Sequence, residues 1–362
     1  MRRRLPEMSK RLMKGNEAVI HGALMGGATH FFGYPITPAS EIAHAAAYYF
    51  TNAGRTFLQA ESEVSSINML YGSAAAGARV MTASSGPGIA LMGEGLSYIA
   101  GAELPCVVVD VQRAGPGLGN IWPEQSDYNM VVKGGGHGNY HNIVLAPNSA
   151  LEMFDMTRRA FDLADAYRMT VFILSDAYIG QMMEAISISG DMSRGKRKDW
   201  AVYGDDESRK NLITSILMNP KLQQDHNEKL QSKYRRVEAE CVETEEILTE
   251  DADLIFVAYG ISSRICLSAL RRMRRAGQKV GMLRLKTLYP FPKQEIAELA
   301  ERNPNRLFAA VELSEGMMAD DVDLALSGRA KLLRYHWLGG VIPTVEELTT
   351  LASAQINTGG RS

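Results

Sequence analysis

Two periods alternate along the 362-residue chain. Short apolar runs are followed by longer segments in which apolar residues return every three to four positions, the signatures of buried strands and one-sided helices. In the first half the pattern predicts a helix from Asn16 to Gly26, closed by Gly26-Gly27, then a strand from His30 to Tyr34. A helix runs into Tyr49 after Pro35-Ile36-Thr37-Pro38. Strand Thr56 to Gln59 precedes helix Glu63 to Gly77, and strand Arg79 to Ala83 precedes helix Gly88 to Ile99. Strand Cys106 to Val111, helix Ala150 to Tyr167 and strand Thr170 to Leu174 complete the set. Such alternation implies a doubly wound parallel sheet with helices on both faces.

The pattern lapses between about Gly190 and Asp253. Gly190 to Lys198 is polar and basic, Glu238 to Asp253 is dense in acid, and Asp225 to Glu240 between them predicts a charged surface helix. A second α/β pattern begins at Leu254-Ile255-Phe256-Val257-Ala258-Tyr259-Gly260. Helix Arg264 to Arg275, strand Val280 to Leu285, the turn-rich Leu288 to Pro292, a helix to Leu299, strand Arg306 to Val311 and a helical end follow, with Asn357 to Ser362 read as a frayed tail. The expected division is a first domain over 1–190, a linker with a charged helix over 191–253, and a second domain over 254–362. Chain length agrees with two α/β domains.

Composition narrows the function. Hydrophobic residues make up 46% and charged residues 22%, ordinary for a soluble globular protein. Lys+Arg 39 against Asp+Glu 41 gives a net charge of -2, so no basic field holds nucleic acid or an anionic membrane. No apolar run approaches the ~18 residues of a spanning helix. The basic start (Arg2, Arg3, Arg4, Lys10, Arg11, Lys14) lacks the apolar stretch of a secretory signal, which predicts a solvated or partner-facing arm on a cytoplasmic chain. Cys106, Cys241 and Cys266 are too few and too scattered for a disulfide framework or for the roughly four thiolates of an iron–sulfur cluster. Any redox centre belongs to another chain.

Ligands of a doubly wound sheet bind beyond the carboxyl ends of its strands. Four unusual segments directly follow expected strands and so share that rim: Tyr34-Pro35-Ile36-Thr37-Pro38, Glu61-Ser62-Glu63, Ser84-Ser85-Gly86-Pro87-Gly88, and Gln112 to Gly117 with Arg113. Each also has a plain structural reading. Thr37-Pro38 makes a good helix start, with Thr as cap and Pro in the first turn. Glu61 and Glu63 suit the positive end of a helix dipole. The helix after them carries Gly72, Ala74, Ala75, Ala76 and Gly77, so close packing should bury it, and a carboxylate on a buried element needs a partner. Gly86-Pro87-Gly88 is a generic turn whose backbone N–H groups can also hold an anion. Arg113 suits either a substrate carboxylate or an internal salt bridge. Lys133-Gly134-Gly135-Gly136-His137-Gly138-Asn139-Tyr140-His141 reads as a flexible loop or a mobile lid, and its two His make a poor metal site, so no metal is expected on this chain.

Taken in order, these segments resemble the 2-oxoacid:ferredoxin oxidoreductase family, in the subunit that carries the pyrimidine-binding domain for thiamine diphosphate. The matching stretches are Lys14 to Ala18, Gly33 to Pro38, Glu61 to Glu63, Thr82 to Gly88, Val111 to Gly117, Glu124 to Tyr128, Ala258 to Gly260 and Leu288 to Pro292. The resemblance implies a thiamine-diphosphate-binding α/β domain followed by one like the C-terminal domain of transketolases. It assigns Glu63 to the aminopyrimidine N1′, where a buried carboxyl favours the imino tautomer and so an internal base. Glu61 competes for that role; the spacing to Tyr71-Gly72 and Ala76-Gly77 favours Glu63. Pro35, Ile36, Ser84, Ser85 and Gly86 join it as cofactor contacts. Thr37 and Arg113 are assigned to the substrate's 2-oxo group and carboxylate.

Thiamine enzymes hold Mg2+ and the diphosphate with a Gly-Asp-Gly motif. The sequence has Gly190-Asp191-Met192 and Gly204-Asp205-Asp206 instead. The resemblance therefore implies a β subunit binding Mg2+ and diphosphate, γ and ferredoxin-like subunits with [4Fe-4S] clusters, and a chain inactive alone. The implied reaction takes a 2-oxoacid and coenzyme A to acyl-CoA and CO2, with electrons passing to ferredoxin. A split non-oxidative decarboxylase and a non-catalytic scaffold are the alternatives. Gly115 to Gly119 and the Lys133 to Gly138 run favour the branched-chain substrate 2-oxoisovalerate. Lys133 or His137 as a second substrate-binding cation would keep 2-oxoglutarate open.

Overall fold

The computed structural model describes residues 10–188, 195–302 and 305–359. Strand Cys106–Gln112 runs through the middle of the first sheet with all seven residues buried. It pairs in parallel with Val80–Ser84 on one side and Thr170–Asp176 on the other. Beyond these lie His30–Gly33 and Thr56–Gln59 on one flank and Ile143–Leu145 on the other, all parallel. Strand Thr287–Tyr289 crosses back from the second half of the chain and closes the edge antiparallel to Ile143–Leu145. The sheet is thus seven-stranded. Helix Gly15–Met25 packs on helix Ala150–Tyr167 at a distance only glycine permits, because a Cβ at Gly22 would collide with the Phe154 carbonyl.

The second sheet orders Lys331–His336, Leu307–Glu312, Leu254–Ala258, Val280–Leu285 and Thr244–Ile247, parallel except for the last. That last strand lies inside the acidic stretch expected to link the domains. Its acids are cross-strand partners: Glu245 pairs with Arg284 at 3.1 Å. Helix Pro220–Glu240 forms as expected and starts earlier, on an Asn219 cap.

Several expected elements shift for identifiable reasons. The Gly88 to Ile99 helix is two, Gly86–Leu91 and Gly93–Gly101. The helix expected from Arg264 begins at Gly260, because Asp176 of the first sheet accepts from the Ile261 N–H at 3.2 Å and supplies the cap from a distance in sequence. Of the basic arm, Lys10–Lys14 is a strand paired antiparallel with Met183–Ser187, while Arg2, Arg3 and Arg4 lie outside the described residues. The expected tail is helical to Gly359. The small residues after Glu63 do not bury their helix: Gly72 is exposed, and only one face of Glu63–Ala75 turns inward.

Candidate functional site

The four rim segments come together at the carboxyl edge of the first sheet. Helix Glu63–Ala75 is capped by Ser62, whose hydroxyl accepts from the Ser65 N–H at 3.1 Å. The cap separates the two acids. Glu63, first in the helix, is 5% exposed, whereas Glu61 is exposed and accepts from the Ser65 hydroxyl at 2.8 Å. Opposite Glu63 lies the turn that ends strand Val80–Ser84. Gly88 is obligatory there, since a Cβ would overlap both Ser84 Oγ and a Glu63 carboxyl oxygen. Ser84 and Ser85 are fully buried, and neither hydroxyl has a hydrogen-bond partner among the described residues. Buried hydroxyls without partners are costly, and a ligand with matching polar atoms would relieve them.

Thr37 and Arg113 meet at the next position along the rim. The guanidinium Nη1 donates to the Thr37 carbonyl at 2.8 Å and Nη2 donates to the Leu118 carbonyl at 3.2 Å. Among the described residues Arg113 forms no direct ion pair with a carboxylate, and its charge acts on Asp127 only at longer range. Thr37 is not a helix cap: the following helix is Ser40–Asn52, with Ala39 at its cap. Pro38 is held by its carbonyl, which accepts from Asn16 Nδ2 at 3.0 Å. Pro35 and Ile36 are half-buried on the same turn. Beside Thr37 opens a cleft of about 410 Å³, lined mainly by apolar groups including Pro38, Ile121, Trp122, Pro123 and Met182.

Lys133 and His137 sit elsewhere. Lys133 Nζ lies 2.6 Å from an Asp321 oxygen, and Tyr128 donates to the same carboxylate at 2.7 Å. That makes Lys133 a clasp between the domains rather than a free cation. His137 is exposed, and its carbonyl accepts from Ser97 at 2.7 Å. The glycine-rich loop is tied down at that point and at His141, which stacks on Tyr289 with ring centroids 4.3 Å apart. No described contact joins either residue to Thr37 or Arg113. Among the described residues no three His, Cys, Asp or Glu side chains gather in a way that could hold a metal ion.

Sequence reasoning found Glu124 to Tyr128 without a role for it. The segment fastens the second domain below the rim. Gln125 donates to the Tyr259 carbonyl at 3.1 Å and accepts from Ser262 Oγ and the Leu313 N–H, both at 2.9 Å. Glu124 accepts from the N–H groups of Gly115 at 2.9 Å and Gly339 at 2.6 Å. Two further residues were missed, Asp110 and Asp127, whose carboxyls face one another behind the Ser84–Gly88 turn. The available signal was an acid in the middle of the apolar run Cys106 to Val111, where an isolated charge is unaffordable.

Comparison with known proteins places the chain in a family. Residues 18–246 match the family described as "Pyruvate flavodoxin/ferredoxin oxidoreductase, thiamine diP-bdg", and residues 252–348 match "Pyruvate:ferredoxin oxidoreductase core domain II". Ketoisovalerate oxidoreductase subunit VorB of Methanothermobacter marburgensis is 56% identical over 335 residues, 92% of this chain and 94% of that protein. The 2-oxoglutarate synthase subunit KorA of Archaeoglobus fulgidus is 35% identical, over 96% of this chain and 100% of that protein. A 2-oxoglutarate:ferredoxin oxidoreductase from Magnetococcus marinus, solved with 2-oxoglutarate, coenzyme A and succinyl-CoA bound, superposes with a TM-score of 0.88 at 28% identity. The match covers 96% of this chain and 65% of that longer one. A split-gene transketolase shares the fold at a TM-score of 0.58 and 12% identity, over 95% of this chain and 97% of that one.

Proposed function

Because this chain belongs to the 2-oxoacid:ferredoxin oxidoreductase family, we propose that it is the α-type subunit of a complex oxidising 2-oxoisovalerate, with coenzyme A, to the acyl-CoA and CO2. The observation that carries the reading is a buried Glu63 packed close to Ser84 at a glycine where no Cβ fits, with the buried hydroxyls of Ser84 and Ser85 both lacking partners among the described residues. That donor and acceptor set fits the pyrimidine end of thiamine diphosphate, with Pro35, Ile36 and Gly86 as further contacts. When bound, the cofactor supplies a nucleophilic carbon and an electron sink. Glu63 would hold a proton at the pyrimidine nitrogen, in a site sheltered from water. Arg113, held by two backbone carbonyls, would neutralise the substrate carboxylate, and the Thr37 hydroxyl would donate to the 2-oxo oxygen.

The relatives are named as subunits, one of a ketoisovalerate oxidoreductase and one of a 2-oxoglutarate synthase, which supports a chain that works in an assembly. Its finer composition is part of the proposal: a β subunit binding Mg2+ and diphosphate, with γ and ferredoxin-like subunits carrying the clusters, in the cytoplasm. No described helix is long and apolar enough to cross a membrane. The division into a cofactor domain over 1–190, a linker over 191–253 and a transketolase-like domain over 254–362 belongs to the same proposal. Substrate preference follows from the 56% identity to the ketoisovalerate subunit and the apolar cleft beside Thr37. Asp321 already engages Lys133, which weakens the case for a second substrate cation.

The test is a substrate panel on the reconstituted complex. Reduction of a low-potential acceptor should require coenzyme A and be fastest per KM with 2-oxoisovalerate, ahead of 2-oxoglutarate, pyruvate and indolepyruvate. Preference for 2-oxoglutarate would reverse the substrate assignment. Aldehyde release without electron transfer would establish the split non-oxidative decarboxylase instead.

A further inference from the structure

Behind the Ser84–Gly88 turn, two buried carboxyls share a space almost closed to water. Asp110 is fully buried on strand Cys106–Gln112, opposite Ser84 in the neighbouring strand. Asp127 is 9% exposed and precedes the short helix Tyr128–Val132. Neither oxygen of Asp110 has a hydrogen-bond partner as an ionised group, and Asp127 Oδ2 is likewise alone. Two adjacent anions cannot both persist in such a site; a single proton between them removes the repulsion and satisfies an oxygen on each. The Asp127 carboxyl lies against Gly86 and Asp110 stands beside Ser84 in the neighbouring strand, which sets both acids directly behind the turn. A Cβ placed on Gly86 would touch both Asp127 oxygens at 3.4 Å.

We propose that Asp110 and Asp127 hold one proton between them and, with Asp127 packed against Gly86 and Asp110 beside Ser84, position the Ser84–Gly88 turn against Glu63. They are positioning residues, and the inference rests on reading that turn as a cofactor contact. The groups facing the pair are few. Glu124 opposes ionisation of Asp127, Arg113 favours it, and the Tyr259 hydroxyl of the second domain lies within electrostatic reach. Burial pushes Asp127 up to about 6 and raises Asp110 well above the usual carboxylate range, with Asp127 adding to the rise. Near neutrality, then, one proton remains, carried mainly by Asp110. The folded pair binds more protons than the unfolded one. Its stabilisation is full at acid pH, declines as pH rises through about 6, and declines further when the last proton leaves. In that final step the two anions repel and the turn loses its anchor.

The experiment measures thiamine diphosphate affinity by calorimetry, alongside turnover, from neutral into alkaline pH on the reconstituted complex. Wild type should lose about tenfold or more in affinity once the last proton leaves, as one unit of linked ionisation implies. In Asp127→Asn the amide donates permanently to Asp110. The alkaline decline should vanish, while affinity at neutral pH stays within about threefold. Superimposable pH profiles for wild type, Asp127→Asn and Asp110→Asn would overturn the proposal. If the variants fail to assemble, infrared difference spectra of wild type decide. A protonated-carboxyl band that persists at neutral pH and fades as affinity falls supports the shared proton, and its absence refutes it. A complex that binds the cofactor with this pH dependence yet oxidises no 2-oxoacid would leave the pair standing and remove the catalytic assignment.

Discussion

The two parallel sheets end in rims of opposite character. At the carboxyl edge of the second sheet, Glu312 is 1% exposed and satisfied from within the chain, accepting from Ser314 Oγ and from the N–H groups of Met318 at 3.0 Å and Ala319 at 2.9 Å. At the edge of the first, Ser84 and Ser85 are equally buried and their hydroxyls lack partners. Among the described residues, every buried side-chain polar atom without a hydrogen bond falls between residues 16 and 198. A protein interior seldom tolerates such groups without a use for them. One rim is therefore closed, a structural joint, while the other keeps its hydrogen-bonding capacity for something that arrives from outside.

The contrast breaks most visibly at Glu63. Glu63→Gln keeps the size and removes the proton-holding carboxyl. Turnover of the reconstituted complex should fall by about 10²- to 10⁴-fold, the usual range for a positioned acid or base, with assembly intact by size-exclusion chromatography. Unchanged turnover would leave only the scaffold reading. Glu61→Gln, on the exposed side of the same cap, serves as the control. Arg113→Ala comes next. Losing a charge-assisted contact worth about 1.5–3 kcal/mol should lower kcat/KM for the 2-oxoacid by roughly ten- to a hundredfold. Cofactor affinity should fall by less than kcat/KM, because Arg113 holds the Thr37 turn, with Pro35 and Ile36 on it, through one backbone carbonyl and makes no hydrogen bond to the Ser84 turn.

How much of this could be read from the sequence depends on how local each cause is. Strands Thr56–Gln59 and Val280–Leu285 and helix Ala150–Tyr167 end where the pattern places them, since each is fixed by its own periodicity and flanking glycines or caps. Lys10–Lys14 and Thr287–Tyr289 were hidden. The first reads as a charged arm and becomes a strand only through Met183–Ser187; the second reads as part of a turn running into Pro290 and Pro292, and becomes a strand only at the edge of the first sheet. At the site, the four rim segments were legible because each directly follows a strand. The Asp110–Asp127 contact was not, because it joins a strand interior to an irregular loop whose path neither strand nor helix periodicity fixes. The partner of Lys133 was hidden for the same reason: its carboxylate, Asp321, lies in the second half of the chain.

On the closed rim, Glu312→Gln should leave chemistry alone and cost stability. A Gln amide cannot accept at both positions, so one of three donors is left facing a donor, a loss of about 1–3 kcal/mol. Thermal unfolding of the complex should shift down by a few degrees while kcat/KM stays within about twofold. A large loss of turnover at unchanged stability would mean that the second rim takes part in the reaction, and the comparison between the rims would fail.

The smallest effect is expected at Lys133→Met, and it is the one that separates a clasp from a substrate cation. Lys133 is half exposed, so its pair with Asp321 is screened by water and contributes about 1 kcal/mol or less, and Tyr128 continues to hold the carboxylate. Activity with 2-oxoisovalerate and with 2-oxoglutarate should therefore change together, each within about twofold. Were Lys133 a ligand for a second carboxylate, removing its charge would cut kcat/KM for 2-oxoglutarate alone by about tenfold or more, because only that substrate carries the group the ammonium would neutralise. A parallel shift in both substrates places the side chain in the joint between domains; a divergence moves it into the pocket.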